Sequence, residues 1–267
     1  MTNDQHLEKT ALITGASSGI GAAFARKLAQ EGYNLVLVAR RDQRLLDMKV
    51  NIENMHDIHV HYISADLSKE ADVLNVENYI RSHEALDLLI NNAGFSVTGK
   101  FPELDIDDHL AMINVHVIAS VRFSHAALGA MIGAARGAII NVSSMAALLP
   151  LRNVTYSSTK AYLVTFSKAL KNELVNTGVT VQALCPGFTY SEFHDNRQRV
   201  GFRRSDIPSF LWGEADEVVE ASLSALDSGK LIVIPGTINR IVVGIGTNGI
   251  TGPIIRTASR MIIKWKR

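Results

Sequence analysis

Apolar runs of strand length alternate along this chain with longer stretches in which apolar residues recur at helical spacing. The runs predict strands at Thr10–Thr14, Asn34–Ala39, Ile58–Ile63, Leu86–Asn91, Gly137–Val142, Thr180–Leu184 and Leu231–Ile234. Helical patterns fill the intervals, the longest at Ile106–Ala134 and Val154–Asn176. Strands that read as nearly continuous apolar runs, separated by helices, are the pattern of a parallel sheet covered on both faces. The expected fold class is therefore α/β, a doubly wound parallel sheet of seven strands. No internal repeat, low-complexity tract or interdomain linker breaks the pattern, and one domain is expected over residues 1–237 with an apolar, basic extension at 238–267.

Composition narrows the partners. Hydrophobic residues make up 47% of the 267 residues and charged ones 20%, enough for a large core. A net charge of +1 supplies no basic excess for nucleic acid. A single cysteine, Cys185, excludes an internal disulfide and reads as an inert buried thiol, since no histidine is recognisably paired with it. The polar stretch Met1–Lys9 lacks the apolar core of a signal peptide, and no apolar run reaches the roughly 18 residues of a membrane span. A soluble, cytoplasmic protein is expected. His56, His59 and His61 cluster near the third strand without a carboxylate at ligand spacing, so no metal site is expected.

The first strand runs into Gly15, Gly19 and Gly21. Glycines between a strand and a helix let the backbone pass close to a pyrophosphate, whose charge then rests on the helix N-terminus; tight strand-to-helix packing is the plainer alternative. At the end of the second strand, where a carboxylate would hold an NAD ribose, stand Arg40 and Arg41 with no acid before Asp42. Arg40 suits a 2′-phosphate bidentately, with Arg41 assisting, so NADP(H) is expected over NAD(H). Two arginines opening a solvated helix are the alternative.

Tyr156 and Lys160 lie four residues apart, on one face of a predicted helix. An ammonium near a phenol favours the phenolate and makes a general acid or base of it. Ser143 and Ser144 end the preceding strand, where a hydroxyl can bond the carbonyl oxygen that the tyrosine protonates.

Together with Thr14-Gly15-Ala16-Ser17-Ser18-Gly19-Ile20-Gly21, Asn91-Asn92-Ala93-Gly94 and Cys185-Pro186-Gly187, these residues resemble the short-chain dehydrogenase/reductase family, in family order from Lys9 to about Pro235. The resemblance implies a Rossmann fold with strand order 3-2-1-4-5-6-7. It implies a catalytic set of Ser144, Tyr156 and Lys160. It places Gly15, Ser17, Ser18, Gly19, Ile20 and Gly21 at the pyrophosphate, Asp66 and Leu67 at the adenine, and Asn92, Ala93 and Gly94 at the ribose. Asp66 also suits a helix N-cap, and the asparagines suit cross-links between strands. Pro186, Gly187, Thr189 and Ser191 would flank the nicotinamide, with Ser191 as the carboxamide anchor and Thr189 as its competitor.

Two departures from the family pattern stand out. The family's relay asparagine on the long helix falls at His116, 24 residues after Asn92 and 28 before Ser144. Asn114 is the runner-up, but two positions turn a helix by about 200°, onto the far face. An imidazole there either titrates near neutral pH and moves protons or is satisfied by local hydrogen bonds. Ser144 lies 12 residues before Tyr156 rather than the family's usual 13, the spacing of Ser143.

Residues 192–213 have the length of a substrate lid, and Phe193, Phe202, Phe210, Leu211 and Trp212 in it suit an apolar carbonyl compound. In the tail, Arg240, Arg256, Arg260, Lys264, Lys266 and Arg267 are interspersed among apolar residues, while Gly244, Gly246, Gly249, Gly252 and Pro253 interrupt any single long helix. Packing within a homodimer or homotetramer is the preferred reading of that tail, with peripheral membrane contact as the alternative. The expected activity is NADPH-dependent reduction of a ketone or aldehyde, reversible as alcohol oxidation. A non-catalytic NADP(H) sensor or scaffold is the alternative. An epimerase or dehydratase of the extended branch fits poorly, because its glycine spacing differs and its C-terminal domain is larger.

Overall fold

The computed structural model describes residues 9–82, 86–97, 99–149, 153–194 and 207–248. Seven strands form one parallel sheet: β1 (Thr10–Thr14), β2 (Asn34–Ala39), β3 (Val60–Ser64), β4 (Leu88–Asn91), β5 (Gly137–Val142), β6 (Val179–Leu184) and β9 (Ile232–Val233). Their order is β3-β2-β1-β4-β5-β6-β9, the expected doubly wound order. The last place belongs to the ninth strand in the chain because two short strands intervene. These are β7 (Phe188–Thr189) and β8 (Trp212–Gly213), which pair with each other as a separate two-stranded sheet. The third strand was expected from Ile58, but the ladder begins at Val60, since Ile58 turns back to bond the His56 carbonyl.

Alternation along the strands builds the two cores. Ala11, Ile13, Leu35 and Leu37 face one layer, where Phe24 and Leu28 of α1 (Gly19–Gln30), Leu45 and Ile52 of α2 (Asp42–Met55) and Val218 of α7 (Ala215–Asp227) cover them. Leu12, Val36 and Val38 face the other layer, with Val73 and Val76 of α3 (Glu70–Ser82) and Phe123 and Met131 of α5 (Ala119–Gly133). A parallel sheet buried on both faces needs apolar residues at consecutive positions, which is why these strands read as runs. Helices α4 (Ile106–Ile113) and α5 join through a π-helical turn at Asn114–Ile118. The combined run is apolar and long enough by composition to cross a membrane, yet Met112, Phe123 and Met131 on it are core residues. Helix α6 (Val154–Glu173) carries the Tyr-Lys pair, and α8 (Thr237–Thr247) begins one residue before the expected 237/238 boundary. Helix α8 passes through Gly244 and Gly246 without a break and packs on the body through Val243 and Gly246, both buried.

A buried amide chain ties the layers at the carboxyl ends of the strands. Asn91 Nδ2 donates to Asn141 Oδ1 at 2.9 Å and to Ser124 Oγ at 3.2 Å, and Asn141 Nδ2 donates to Ser167 Oγ at 2.9 Å. So β4, β5, α5 and α6 share one polar thread through an apolar interior. Removing the Ser167 hydroxyl strands a buried donor, so Ser167→Ala is expected to lower unfolding free energy by about 1–3 kcal/mol. Urea denaturation monitored by circular dichroism measures the shift, with an unchanged slope.

Candidate active site

The carboxyl ends of β1, β4, β5 and β6 open onto one cleft of about 1140 Å³. In an open α/β sheet, this edge at the reversal of strand order is where ligands bind. The glycine turn forms one wall. Gly15 and Gly19 have φ of +66° and +55°, and a Cβ on Gly15 would lie 2.9 Å from both Ala93 Cα and Asn92 Nδ2. A Cβ on Gly21 would strike the Gly15 carbonyl. Helix α1 starts here with no side-chain cap on its N-terminus and no acid in its first turn. Its first amides are thus left for an anion, and the turn fits the pyrophosphate of a dinucleotide.

Asn92 holds this turn in place, its Nδ2 donating to the Thr14 carbonyl at 2.8 Å, while Ala93 and Gly94 line the cleft. Asn91 is the strand cross-link described above. Asp66 accepts from the Ser68 amide and hydroxyl, at 3.1 and 2.8 Å, so it caps the turn that leads into α3. Burial pushes its carboxyl up, but those two bonds and the charges of Arg40 and Lys69 outweigh that and hold it below its ordinary value. Leu67 is buried beside it on the cleft wall.

Arg40 stands exposed on the cleft rim. Arg41, expected as its assistant, is already engaged. Its Nη2 donates to Ser17 Oγ at 2.9 Å and its Nη1 pairs with Glu192 at 2.6 Å. The other oxygen of Glu192 pairs with Arg44, also at 2.6 Å. The two guanidiniums, Arg41 first, hold the Glu192 carboxyl below its usual range. These ion pairs join the head of the lid segment to α2 across the cleft. Ser191 lines the cleft beside the glycine turn, where a Cβ on Gly19 would lie 2.9 Å from the Ser191 Cβ. Thr189 is buried with its hydroxyl on the Gly187 carbonyl, and Pro186 and Gly187 line the opposite wall. Residues 195–206 of the lid, Phe202 among them, lie outside the described residues.

Tyr156 and Lys160 face the cleft from the first turns of α6, the lysine Nζ standing 5.9 Å from the centre of the tyrosine ring. Lys160 is 4% exposed and donates to the Val142 carbonyl at 2.7 Å. Burial lowers its ammonium to a pKa of about 8. The two serines divide the work. Ser143 is buried and its hydroxyl donates to the Lys160 carbonyl at 2.7 Å, whereas half-buried Ser144 lines the cleft and caps the turn Met145–Ala147. Cys185 is buried at the end of β6, where desolvation pushes its thiol up to about 11.

His116 lies in the π turn with its ring toward Phe95 and Thr159, and Asn114 points away to the Ser68 carbonyl. The imidazole is fully buried within the π turn. Its Nε2 accepts the Phe95 amide hydrogen at 3.1 Å, which requires a bare lone pair there and puts the ring proton on Nδ1. Nδ1 then donates to Thr159 Oγ1 at 2.8 Å, and that hydroxyl donates to the Tyr156 carbonyl at 3.0 Å. Desolvation, with the Lys160 charge adding to it, drives its pKa well below 6.5. Of the two readings of this imidazole, the bonds match the one satisfied by local hydrogen bonds, and the ring is a neutral pin. His109, one residue of α4 that the sequence did not single out, has the opposite tautomer: its Nε2 donates to the Phe101 carbonyl at 3.3 Å, so its Nδ1 accepts from the Thr155 hydroxyl at 2.7 Å. Two His–Thr contacts therefore stitch the long helix to α6.

Asn153 was also missed. It takes a left-handed φ of +61° to cap α6, accepting the Tyr156 amide, while its Nδ2 donates to Ser96 Oγ and the Val97 carbonyl at 2.7 and 2.6 Å. An asparagine just before a helical run is a readable N-cap signal. Asn239 and Val242 of α8 line the cleft with no local signal to mark them.

The short chain dehydrogenase family model matches residues 9–200 of the chain. The chain belongs to the short-chain dehydrogenase/reductase family. Among similar proteins, the bovine 3-oxoacyl-[acyl-carrier-protein] reductase is 30% identical over 236 residues, covering 86% of this chain and 98% of its own length. A short-chain dehydrogenase from Sphingobium yanoikuyae in complex with NADPH superposes with a TM-score of 0.80 at 31% identity, covering 96% of this chain and 95% of that one. The bulky-bulky ketone specific alcohol dehydrogenase from Comamonas testosteroni gives a TM-score of 0.76 at 28% identity, covering 96% and 94%. This member of the family is an oxidoreductase of the Rossmann type, and its cleft is built for a nicotinamide dinucleotide.

Because His116 is held neutral in the fold while an unfolded histidine protonates below about pH 6.5, the unfolded chain binds the extra proton in acid. The stability that this site contributes is whole above that pH and is lost as pH falls through it, with a limiting slope of about 1.4 kcal/mol per pH unit. His116→Asn is expected to flatten this part of the stability profile between about pH 6.5 and 5, measured by urea titration at successive pH values.

Proposed function

We propose that the protein reduces the carbonyl of an apolar ketone or aldehyde with NADPH and runs the reverse oxidation of the alcohol. The observation that carries this reading is the convergence of Tyr156, Lys160 and Ser144 on the cleft that begins at the glycine turn. Bound dinucleotide would supply or accept the hydride. Tyr156 donates its phenolic proton to the carbonyl oxygen in reduction and takes it back in oxidation. Lys160, close to the ring, favours the phenolate by its charge. The Ser144 hydroxyl bonds the same oxygen and steadies the charge that develops on it.

The reading of Lys160 as a cation fits a site where burial has already brought its ammonium down to about 8. Charge and proton mobility then coexist near physiological pH. His116, neutral and with both ring nitrogens bonded, fixes Phe95 and Thr159 beside the tyrosine rather than carrying protons. An apolar substrate is favoured by Leu149, Phe193, Leu211 and Val242 on the wall beyond Tyr156. The names of the similar proteins agree with this class, since they include a ketoacyl reductase and an alcohol dehydrogenase for bulky ketones.

NADPH over NADH rests on Arg40. Arg41 and Arg44 are occupied by Glu192, which leaves Arg40 as the cation at the rim to meet a 2′-phosphate. Oxidation of NADPH against a panel of ketones and aldehydes, from small polar to long-chain and polycyclic, tests the activity, with consumption expected for apolar carbonyls. Tyr156→Phe should retain dinucleotide affinity while lowering kcat by at least about 100-fold, and an unchanged kcat would remove the phenol from the reaction. Arg40→Asp should lower the ratio of kcat/KM for NADPH to that for NADH by about 10–100-fold, the value of one or two charge-assisted hydrogen bonds. If Arg41→Ala produces that change and Arg40→Asp does not, the phosphate belongs to Arg41.

A further inference from the structure

Helix α8 has three faces. Asn239, Val243 and Gly246 turn toward the body, and Arg240, Gly244 and Thr247 form a polar side. The third face consists of Ile238, Ile241, Val242 and Ile245, at the i, i+3, i+4, i+7 spacing of a continuous apolar stripe. These four are 43%, 55%, 38% and 43% exposed. A helix of a soluble core turns such a stripe inward, whereas here the inward face is a different one. The stripe also borders the cleft, because Val242 lines it. Phe210, 64% exposed, adjoins Leu211 on the same lining.

Charge along the chain is segregated around this helix. Residues 228–267 contain seven Lys and Arg residues (Lys230, Arg240, Arg256, Arg260, Lys264, Lys266 and Arg267) and no Asp or Glu. All 26 acids of the chain therefore lie in residues 1–227, against 20 cations there, so a nearly neutral protein is an acidic body joined to a strongly basic end. The sequence beyond α8 continues in the same style, pairing Ile254, Ile255, Ile262, Ile263 and Trp265 with its cations.

An apolar helical stripe next to a cationic, acid-free segment is the chemistry of attachment to an anionic lipid surface. A second copy of this chain is a poor occupant, since its own α8 would bring the same cation, Arg240, and no acid to the contact. We propose that the stripe Ile238, Ile241, Val242 and Ile245 on α8 docks on an anionic phospholipid bilayer, turning the mouth of the active-site cleft toward the membrane. The docking leaves the sheet and the glycine turn unaffected, and it stands independently of which carbonyl compound is reduced.

Co-sedimentation of the full chain with vesicles tests the proposal, using phosphatidylcholine alone and phosphatidylcholine mixed with phosphatidylglycerol. The anionic vesicles are expected to retain at least about tenfold more protein than the neutral ones at low salt, with most of that excess lost near 1 M salt. Ile241→Glu should reduce retention about tenfold while leaving the melting temperature and circular dichroism spectrum in place, and Ile238→Glu serves as the second variant if the first does not fold. Equal retention on both vesicle types, or none on either, overturns the proposal. So does undiminished binding by both variants, which would assign attachment to the basic segment without α8. Conversion of an oligomer to a smaller species by Ile241→Glu in gel filtration, with vesicle binding unchanged, would make the stripe a contact between copies instead.

Discussion

Two hydrogen bonds between the end of β5 and α6 hold the Tyr156/Lys160 pair in place. Lys160 reaches back with its ammonium to the Val142 carbonyl, and Ser143 reaches forward with its hydroxyl to the Lys160 carbonyl. Each element thus supplies a side chain to the other's backbone. A cation buried to this degree is costly unless it is bonded, so the contact fixes the lysine at the strand end with little freedom. Tyr156 is one helical turn upstream and inherits that position. Everything else in the site is arranged around a helix that cannot slide along the strand.

The surrounding contacts extend the same constraint outward. Asn153 joins the start of α6 to the loop after β4, and the two His–Thr bonds join α6 to α4 and the π turn. The loop after β4 carries Ala93 and Gly94, whose neighbour Asn92 fastens the glycine turn. A continuous set of short bonds therefore runs from the proposed proton donor to the phosphate-binding end of the cleft. Preorganisation of this kind spares the site from ordering its groups at each turnover.

The fold and the centre of the site were legible in the sequence because both are written locally. Apolar runs show a doubly covered strand directly, and the glycine turn and the Tyr156/Lys160 pair each fit within a few residues. What escaped reading depends on chain segments far apart. Glu192 meets Arg41 and Arg44 across about 150 residues, and Asn239 meets the Gly187 backbone across the β6–α8 interval. His116 was located by counting between motifs, yet its proton could be assigned only once the Phe95 amide was seen to point at Nε2. The closeness of Ser191 to Gly19 likewise spans most of the chain and has no local sign. Strand limits also drifted where side chains such as Glu53 take the first amide of a strand, as they do at Val60.

The π turn at Asn114–Ile118 amounts to one surplus residue in an otherwise regular helix, and each residue turns a helix by about 100°. That surplus lets one rod satisfy two obligations that a uniform helix would set at odds: Asn114 faces Ser68 on one side, His116 faces Phe95 and Thr159 on another, and Phe123 and Met131 still meet the sheet. The segment acts as a phase shifter between a catalytic register and a packing register. A chain shortened by one residue there would keep its length of helix almost unchanged and yet present the wrong side to either the site or the core.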